Sequence, residues 1–429
     1  MLDIKFIREN PELVKDNIRK KFQENKIPLV DKLLKLDKEW RKIKLDADSL
    51  RAQRNKISKE INEAKKSNNK KKVEQLLKIA KELPEKIKIL EEKEKLFEEE
   101  IKKILLVIPN IISKETPLGK DASENKEIKK VGKIPKFDFP VKNHVEIAEN
   151  LDIVDFEASA KVSGNGFYYL KGELALLNQA LIRFAIDFMR KKGYQYIETP
   201  LMLKEGAIFA SMNKEAIEQS VYSIVGEDLH LIGTAEQSLL AMHANQTIPE
   251  EELPKKYFSY SMCFRKEVGS HGINEKGLWR THQFNKVEQF IFCKPEDSEK
   301  MYQELLENSE EILQLLELPY RVVEICSGDL SDWKYRSADL EVYRPTTKDY
   351  GEVMSLSNCT DYQARKLNIK CVNRKGERRV LHTLNDTALA TSRIMVAILE
   401  NFQQKDGSVK IPKVLWPYTG FKEIKRKKL

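Results

Sequence analysis

Two runs of apolar residues at alternating spacings of three and four dominate the first 105 residues of the chain. The first run covers residues 33–64 and the second covers residues 73–104, with single interruptions at Arg54 and Glu94. Glycine does not occur in the first hundred residues. Because residues in such a heptad pattern fall on one side of a helix, the pattern predicts two long helices that each carry an apolar stripe.

A polar segment, KKSNNKKK at residues 65–72, separates the two runs and is typical of a turn. The simplest structure is an antiparallel helical hairpin whose arms are each roughly 45 to 50 Å long. Pro84 lies within the second run, where a proline bends a helix or removes one hydrogen bond. Two functions fit this hairpin. One is a coiled coil for dimerisation, which the pattern alone favours, and the other is an arm that binds RNA phosphates through its lysine-rich tip.

Composition restricts the class of protein. The 429 residues suffice for two or three domains, and the net charge of +9 weakly indicates a polyanionic partner. The five cysteines and six histidines show no CxxC pair and no metal-ligand spacing. We therefore expect a reducing compartment, a cytoplasmic location and no zinc site. No apolar run approaches the roughly 20 residues of a membrane span, and the start of the chain does not resemble a signal peptide.

A connector rich in proline, glycine and small polar residues follows the hairpin and covers residues 108–135. Beyond it, strand-like runs alternate with helical stretches, which predicts a mixed α+β domain. Neither GxGxxG after a strand nor a P-loop motif occurs, so the common dinucleotide and P-loop folds lack their usual support. The predicted strands are YQYIETPLML, DLHLIG, KKYFSYSMCFRKE, HQFNKVEQFIF, DLEVYRP and YGEVMSLSN, and the predicted helices cover residues 172–192, 235–245, 296–317 and 387–403.

Two of the predicted strands carry charged residues among apolar ones. Side chains alternate faces along a strand, so Arg265 and Glu267 share one face of the first strand. By the same rule, Phe284, Lys286 and Glu288 share one face of the second strand. If the two strands pair as a hairpin, these faces coincide. A guanidinium suits a phosphate and an aromatic ring suits a base, so the hairpin predicts a nucleotide site without a P-loop.

These segments, taken in order, resemble the motifs of class II aminoacyl-tRNA synthetases in the form used by the seryl-tRNA synthetase family. KKGYQYIETPLML resembles motif 1, FRKE followed by GLWRTHQFNKVE resembles motif 2, and HTLNDTALATSRIMVAILENFQ resembles motif 3. LIGTAEQSLL resembles the Thr-Ala-Glu segment of this family, and IPNIISKETPLGKD resembles the connector after its N-terminal arm. FRxE alone is a weak signal, but the ordered set spans essentially the whole chain.

The resemblance implies an architecture and partners. Residues 1–107 would form an N-terminal tRNA-binding helical arm, residues 108–135 a connector, and residues 136–429 a class II catalytic domain with an antiparallel sheet flanked by helices. Motif 1 would form the interface of a homodimer. The arm would contact the long variable arm of tRNA(Ser) by shape and backbone contacts, which favours the RNA-binding interpretation of the hairpin. Whether tRNA(Sec) is also a substrate is left open.

The resemblance also implies a reaction and the residues for it. Serine would be activated with ATP and Mg²⁺ to seryl-adenylate and then transferred to the 3′ end of the tRNA. The implied ATP-binding residues are Arg265, Lys266, Glu267, Thr281, His282, Gln283, Phe284, Glu352, Val353, Met354, Ser355 and Arg393. The implied serine-binding residues are Thr234, Ala235, Glu236, Glu288 and Thr387.

Three of these residues would be catalytic. Arg265 would bind the α-phosphate, Arg393 the γ-phosphate, and Glu352 would bind Mg²⁺ together with Ser355. A regular strand would put Glu352 and Ser355 on opposite faces because they are three residues apart. The metal site therefore requires a bulge or a strand end.

Single residues of this set also fit simpler structural roles. Arg265 could form only a cross-strand ion pair, and Thr234 could be only a helix N-cap. Asp386 stands where a small residue is expected, and Thr387 stands where many family members carry serine, which leaves the shape of the serine pocket open.

Three alternative functions make different demands on the chain. An enzyme that loads a carrier protein would lack the helical arm. A non-catalytic RNA-binding relative would not need Arg265, Glu267, Glu352 and Arg393. A threonine or proline enzyme of class II is disfavoured by the arm and by the Thr-Ala-Glu segment.

Overall fold

The structure is a computed structural model that describes residues 1–268 and 276–426. The chain divides into two compact units, Met1–Pro109 and Asn110–Leu429. Among the described helices, none combines the length and the apolar composition that a membrane crossing needs.

The first unit contains the long helical hairpin. Its helices are Ile4–Glu9 (α1), Pro11–Lys20 (α2), Ile27–Lys66 (α3) and Lys70–Val107 (α4). The two heptad runs fall within α3 and α4, which confirms the predicted hairpin. Near the turn, the apolar stripes close over a buried cluster of Ile57, Ile61, Ala64, Leu76 and Leu83.

The interruption of the second stripe at Glu94 has a structural reason. Glu94 Oε1 lies 3.5 Å from Lys44 Nζ across the hairpin. One turn away, Arg51 Nη2 lies 2.9 Å from Glu91 Oε1. These pairs match the middle of α3 with the middle of α4 and fix the antiparallel register. Because they are partly exposed, each contributes at most about 1 kcal/mol, and the apolar cluster dominates the stability of the hairpin.

The turn between α3 and α4 is shorter than the predicted polar segment. Only residues 67–69 are non-helical. Asn68 adopts a positive φ of 53°, which asparagine tolerates better than most residues. The Asn69 side chain accepts a hydrogen bond from Lys72 N at 3.1 Å and thereby caps α4. Pro84 lies inside α4 without ending it.

The second unit is built around a large sheet. In the described part of the chain, its strands are Lys126–Val131 (β1), Val154–Asp155 (β2), Tyr169–Leu170 (β3), Gln195–Tyr196 (β4), Met202–Leu203 (β5), His230–Leu231 (β6), Thr247–Pro249 (β7), Lys255–Phe264 (β8), Gln283–Cys293 (β9), Tyr320–Glu324 (β10), Arg336–Arg344 (β11), Asp349–Thr360 (β12), Lys370–Val372 (β13), Arg378–Val380 (β14), His382–Ala390 (β15), Val409–Lys410 (β16) and Glu423–Ile424 (β17).

Helices connect and flank these strands. They are His144–Asn150 (α5), Phe156–Ser163 (α6), Gly172–Lys191 (α7), Glu205–Ser211 (α8), Lys214–Ser220 (α9), Ala235–Ala241 (α10), Ser298–Leu315 (α11), Tyr362–Lys366 (α12), Thr391–Asn401 (α13) and Trp416–Thr419 (α14).

The main sheet has the order β1-β10-β11-β12-β15-β9-β8-β4 over the described residues. All neighbours are antiparallel except β4 and β8, which are parallel. The apolar sides of α7, α11 and α13 join the sheet in one continuous core. This arrangement confirms the predicted α+β class with an antiparallel sheet flanked by helices. Residues 126–131, inside the predicted connector, form the edge strand β1.

Several predicted boundaries are wrong. The strand predicted to reach Glu267 ends at Phe264, because the chain turns there and Glu267 takes a positive φ of 51°. The helix predicted over residues 387–403 begins at Thr391, and residues 387–390 complete β15. The YQYIETPLML segment forms only the two-residue strands β4 and β5. Residues 269–275, which belong to the predicted connection between β8 and β9, lie outside the described residues.

The apolar cluster near the turn predicts a stability test of the hairpin. Leu83 is 3% exposed, whereas Leu77 on the same helix is 48% exposed. Leu83→Ala should lower the local free energy of unfolding of the hairpin by about 2 to 4 kcal/mol, because it leaves a cavity. Leu77→Ala is the matched control and should change it by less than about 0.5 kcal/mol. Native-state hydrogen exchange of amides in α3 and α4 measures both. Equal effects would contradict the observed packing.

Candidate active site

A cavity of about 430 Å³ opens on one face of the main sheet in the second unit. Its floor comes from β9, β12 and β15, and its sides come from the residues after β8 and from the first residues of α10 and α13. Most of the residues that the sequence singles out line it. They are Thr234, Glu236, Arg265, Glu267, Thr281, Phe284, Glu288, Glu352, Val353, Ser355, Thr387 and Arg393.

The hairpin of β8 and β9 brings the predicted charged face together. Cys263 pairs with Phe284, which sets the phase of the register and turns Phe284, Lys286 and Glu288 toward the cavity. Arg265 follows β8, and its guanidinium carbon lies 5.2 Å from the centre of the Phe284 ring. Its Nε donates to the Gly233 carbonyl at 3.2 Å, which holds the side chain over the floor. The predicted pairing of the two strands is thus confirmed, although Arg265 itself lies beyond the regular strand.

Glu267 is placed by a turn and not by strand alternation. Arg280 Nη1 donates to Glu267 Oε2 at 2.7 Å, and both residues line the cavity. The pair links the chain after β8 to the chain before β9. The charge-assisted hydrogen bond from Arg280 fixes the position of this carboxylate at the cavity wall.

A bulge in β12 allows Glu352 and Ser355 to line the same cavity although they are three residues apart. On β12, Met354 pairs with Leu340 and Glu352 pairs with Glu341, so Val353 is an extra residue without a partner. The extra residue shifts the alternation, and Glu352 and Ser355 both line the cavity. This is the irregularity that two ligands three residues apart require.

Arg393 stands at the same end of the cavity as Glu352. Its Nη1 lies 3.2 Å from Glu352 Oε2 and donates to the Glu352 carbonyl at 2.8 Å. Burial by itself would raise the pKa of Glu352, but the charge and hydrogen bond of Arg393 outweigh it and hold that pKa below the ordinary value. Glu352 is therefore ionised at neutral pH and can serve as an oxygen ligand.

Carboxylates gather at the opposite end of the cavity. Glu288 Oε2 lies 2.5 Å from Lys286 Nζ, which also donates to Thr387 Oγ1 at 3.5 Å. Gln363 Nε2 donates to Glu236 Oε1 at 2.7 Å. Burial, followed by the charge of Glu288, raises the pKa of Glu236 to about 7. The polar groups at this end suit a small ligand that carries an ammonium and a hydroxyl group.

Five predicted site residues do not line the cavity. Met354 points into the hydrophobic core because the bulge leaves it on the other face of β12. Ala235 is buried inside the first turn of α10. His282 Nδ1 lies 2.9 Å from the Arg265 carbonyl, and Gln283 Nε2 donates to the sulfur of Met262. Lys266 is fixed by its backbone N–H, which donates to the Ser220 carbonyl at 2.9 Å.

Thr387 lines the cavity, whereas Asp386 does not. Asp386 Oδ2 accepts from Ser309 Oγ at 2.5 Å and from Gln289 Nε2 at 3.1 Å. Burial raises the pKa of Asp386 well above its ordinary value. The residue thus packs against α11 behind the sheet and does not narrow the pocket.

The cavity also contains residues that the sequence patterns do not assign. Trp279 and Arg280 lie within the quoted GLWRT segment, so the motif itself could have identified them. Asn385 lies on β15 within the quoted HTLNDTALATSRIMVAILENFQ segment, whereas Lys334 lies between β10 and β11, in none of the quoted segments. Asp339 lies opposite Ser355 on the neighbouring strand. Burial and the charge of Glu352 raise the pKa of Asp339, so the two carboxyl groups are electrostatically linked.

Comparison with known proteins agrees with this geometry. Residues 221–402 match the family described as the tRNA synthetase class II core domain (G, H, P, S and T), and residues 1–112 match the seryl-tRNA synthetase N-terminal domain. The serine–tRNA ligase of Dictyoglomus thermophilum is 47% identical and covers 100% of both chains. That of Methanocella arvoryzae is 45% identical over 97% of this chain and 98% of its own.

Two solved structures are similar over the whole chain. The seryl-tRNA synthetase from Pyrococcus horikoshii complexed with ATP has a TM-score of 0.93 at 43% identity and covers 100% of both chains. The cytoplasmic serine–tRNA ligase from Naegleria fowleri in complex with AMP has a TM-score of 0.88 at 35% identity, and covers 100% of this chain and 99% of its own.

The fold and the site define an aminoacyl-tRNA synthetase of class II. Within that class, the chain belongs to the seryl-tRNA synthetase family, as the identity over its full length shows. It is thus an ATP-dependent ligase that joins serine to tRNA. The carrier-protein, non-catalytic and threonine or proline alternatives are set aside by the same matches.

The electrostatics of Glu236 can be tested directly. The Glu236 carboxyl should titrate near pH 7 in the free protein. Glu288→Gln removes a neighbouring negative charge and should lower that pKa by about one unit, whereas Gln363→Leu removes a hydrogen bond to the carboxylate and should raise it. Carbon-13 NMR of labelled glutamate side chains measures the titration, with Glu218→Gln on the exposed side of α9 as control. Shifts of the same sign in both variants would contradict the assigned causes.

Proposed function

We propose that the chain activates serine with ATP in the 430 Å³ cavity and then transfers it to the 3′ end of tRNA(Ser). The observation that carries this is the division of one cavity into two chemical ends. Arg265, Arg393 and Glu352 lie at a phosphate-type end, and Glu236 and Glu288 lie at an ammonium-type end. ATP and AMP are bound by the relatives from Pyrococcus horikoshii and Naegleria fowleri, which supports a nucleotide at the first end.

In the first step, the serine carboxylate attacks the α-phosphorus of ATP, a seryl-adenylate forms and pyrophosphate leaves. A carboxylate is already ionised and nucleophilic near pH 7, so no general base is needed. Catalysis then consists of alignment and charge stabilisation. Arg265 binds the α-phosphate, where negative charge increases in the transition state. Arg393 binds the γ-phosphate and holds the leaving pyrophosphate in line.

The adenine ring stacks on Phe284, and its exocyclic amine donates to Glu267. Support comes from the exposed face of Phe284 in the cavity and from the Arg280 pair that fixes the Glu267 carboxylate at 2.7 Å. Thr281 lines the same wall. The remaining predicted positions Lys266, His282, Gln283 and Met354 contribute through the backbone or through support of their neighbours.

Mg²⁺ fits the end of the cavity that holds Glu352 and Ser355. No cluster of three acidic, histidine or cysteine side chains able to hold a metal exists among residues 1–268 and 276–426. That is compatible with Mg²⁺, which commonly takes one or two protein oxygens and completes its shell with phosphates and water. Bound there, the ion would neutralise phosphate charge. Glu352 and Ser355 would hold it, with Asp339 beside Ser355 on the adjacent strand.

Serine binds at the other end. Glu236 and the Thr234 hydroxyl bind the ammonium group, while Glu288 and Thr387 bind the hydroxyl. Such a pocket penalises alanine, because its own polar groups would be left unpaired, whereas threonine is excluded only by its extra methyl group. The 2.5 Å contact between Lys286 and Glu288 orients the carboxylate before serine arrives. Ala235 supplies backbone at the start of α10 next to Thr234.

In the second step, the 3′-hydroxyl of the terminal tRNA adenosine attacks the activated carbonyl, the new ester bond forms, the acyl–phosphate bond breaks, and AMP and the hydroxyl proton leave. The hairpin of α3 and α4 binds the long variable arm of tRNA(Ser), with the lysines at residues 65–72 facing its phosphates.

The enzyme acts as a homodimer through its motif 1 segment. A reducing cytoplasm suits the five cysteines, which are all buried and free. Charging of tRNA(Sec) is included in this proposal as a further activity of the same site.

Replacement of Arg265 tests the phosphate end. Arg265→Ala should reduce serine-dependent pyrophosphate exchange by roughly 10² to 10³-fold, because a preorganised positive charge is lost from the transition state. Arg190→Ala, on the exposed side of α7, is the matched control and should leave exchange unchanged. Size-exclusion chromatography should show the same oligomeric state for both. Exchange at the normal rate in Arg265→Ala would refute the assignment.

A shortened hairpin tests the tRNA arm. Because Lys44 and Glu94 lie side by side, residues 45–93 can be replaced by a short Gly-Ser turn without disturbing the base of the hairpin. Pyrophosphate exchange with serine should stay near the wild-type rate. Aminoacylation kcat/KM for tRNA(Ser) should fall by roughly 10²-fold, as phosphate contacts are lost. Efficient charging by the shortened protein would overturn the proposed role of the arm.

A further inference from the structure

A buried polar cluster lies behind the phosphate end of the cavity and is not part of its wall. His144 begins α5 and is 7% exposed, and Glu400 lies on α13 and is fully buried. His144 Nδ1 is 3.1 Å from Glu400 Oε1, and His144 Nε2 is 3.1 Å from the backbone N–H of Leu278. An amide N–H can only donate, so Nε2 accepts. The imidazole is therefore neutral, with its proton on Nδ1, which donates to Glu400.

Glu400 is a fixed anion. Its Oε1 also accepts from Arg344 Nη2 at 3.1 Å, and its Oε2 accepts from Thr346 Oγ1 at 2.8 Å. Burial by itself would raise the pKa of Glu400, but the hydrogen bonds and charge of its partners outweigh burial and lower that pKa. Charge-assisted hydrogen bonds of this kind are short and directional. The carboxylate thus holds the His144 ring in one orientation.

Two glycines allow close approach around this cluster. Gly277 has a φ of +154°, and a Cβ built on it would lie 2.6 Å from His144 Nε2. A Cβ on Gly351 would lie 2.4 Å from the Cζ2 atom of the Trp279 ring. Larger residues at these positions would push the histidine or the tryptophan away. Backbone and rings therefore meet at distances that only glycine permits.

Trp279 connects the cluster to the cavity. Its ring centre lies 4.3 Å from the Arg344 guanidinium and 5.5 Å from the Arg393 guanidinium. Its carbonyl oxygen accepts from Arg393 Nε at 3.4 Å. The residue before Trp279 is Leu278, whose backbone N–H donates to His144 Nε2. A shift of residues 277–279 would therefore move both contacts that Trp279 makes with Arg393, while the contacts of Arg393 with Glu352 would remain.

We propose that His144 is a positioning residue for Arg393. It fixes the backbone of residues 277–279 to Glu400, and Trp279 then holds the Arg393 guanidinium toward the terminal phosphates of ATP. The inference rests on the proposed phosphate role of Arg393. If His144 only filled the core, its replacement would lower the stability of the protein without distinguishing ATP from serine. If His144 positions Arg393, its replacement raises the KM for ATP and leaves the KM for serine unchanged.

Two substitutions separate the two hydrogen bonds of the imidazole. A glutamine side chain reaches the place of Nε2, so His144→Gln keeps an acceptor for the Leu278 amide. An asparagine side chain reaches only the place of Nδ1, so His144→Asn keeps a donor for Glu400 and loses the acceptor. Thr346→Val removes one hydrogen bond from Glu400 without touching residues 277–279 and serves as control.

Pyrophosphate exchange with the full-length protein gives the KM for ATP and for serine separately. We expect His144→Asn to raise the ATP KM about tenfold, as one net hydrogen bond is lost, with an unchanged serine KM. His144→Gln and Thr346→Val should stay within about threefold of wild type. Thermal melting shows that each variant is folded.

Equal ATP effects in the asparagine and glutamine variants, or an equal rise of the serine KM, would overturn the inference. Arg393→Ala distinguishes this failure from failure of its premise. If Arg393→Ala leaves the ATP KM unchanged, the phosphate role of Arg393 is wrong, and the inference fails with it. If Arg393→Ala raises the ATP KM and His144→Asn does not, the phosphate role stands and the positioning role is wrong.

Discussion

The register of β8 and β9 is the constraint on which the rest of the site depends. Pairing of Cys263 with Phe284 turns the charged side chains of β9 to the cavity and sends Val287 and Ile291 into the core. A slip by one residue would exchange the two faces, burying charge in the core and exposing apolar side chains. The free energy that stabilises the core therefore also fixes where the charges of the site lie.

The site concentrates buried charge, which is costly unless each group has a partner. Among the buried carboxylates, Glu288 has Lys286, and Glu400 has His144 and Arg344. Glu352, which is 45% exposed, pairs with Arg393. Burial and the charge of Glu288 raise the pKa of Glu236, and the hydrogen bond from Gln363 only partly offsets them. A positively charged ligand group bound beside Glu236 would favour the ionised carboxylate and lower its pKa.

Local patterns predicted those parts of the protein that local physics controls. The heptads of α3 and α4 place their apolar residues correctly because a helix repeats regularly along its whole length. The alternation on β9 likewise identified the cavity face. The same rule failed at Glu267, where a turn with positive φ follows the strand. For Glu352 and Ser355 it correctly predicted that a bulge was needed, and that bulge leaves Met354 in the core. Turns and bulges depend on neighbouring strands, which a single segment does not contain.

The sequence by itself determined the helical arm, the order of the motifs and the identity of the charged groups, because spacing and residue type are properties of each segment alone. Tertiary structure decided which of these groups meet. The bulge at Val353 placed Glu352 and Ser355 at the same cavity, and packing against α11 kept Asp386 out of it. A hydrogen bond also formed between Leu278 and His144, which are 134 residues apart. Those outcomes follow from how strands and helices pack, and a linear pattern carries no information about distances between remote segments.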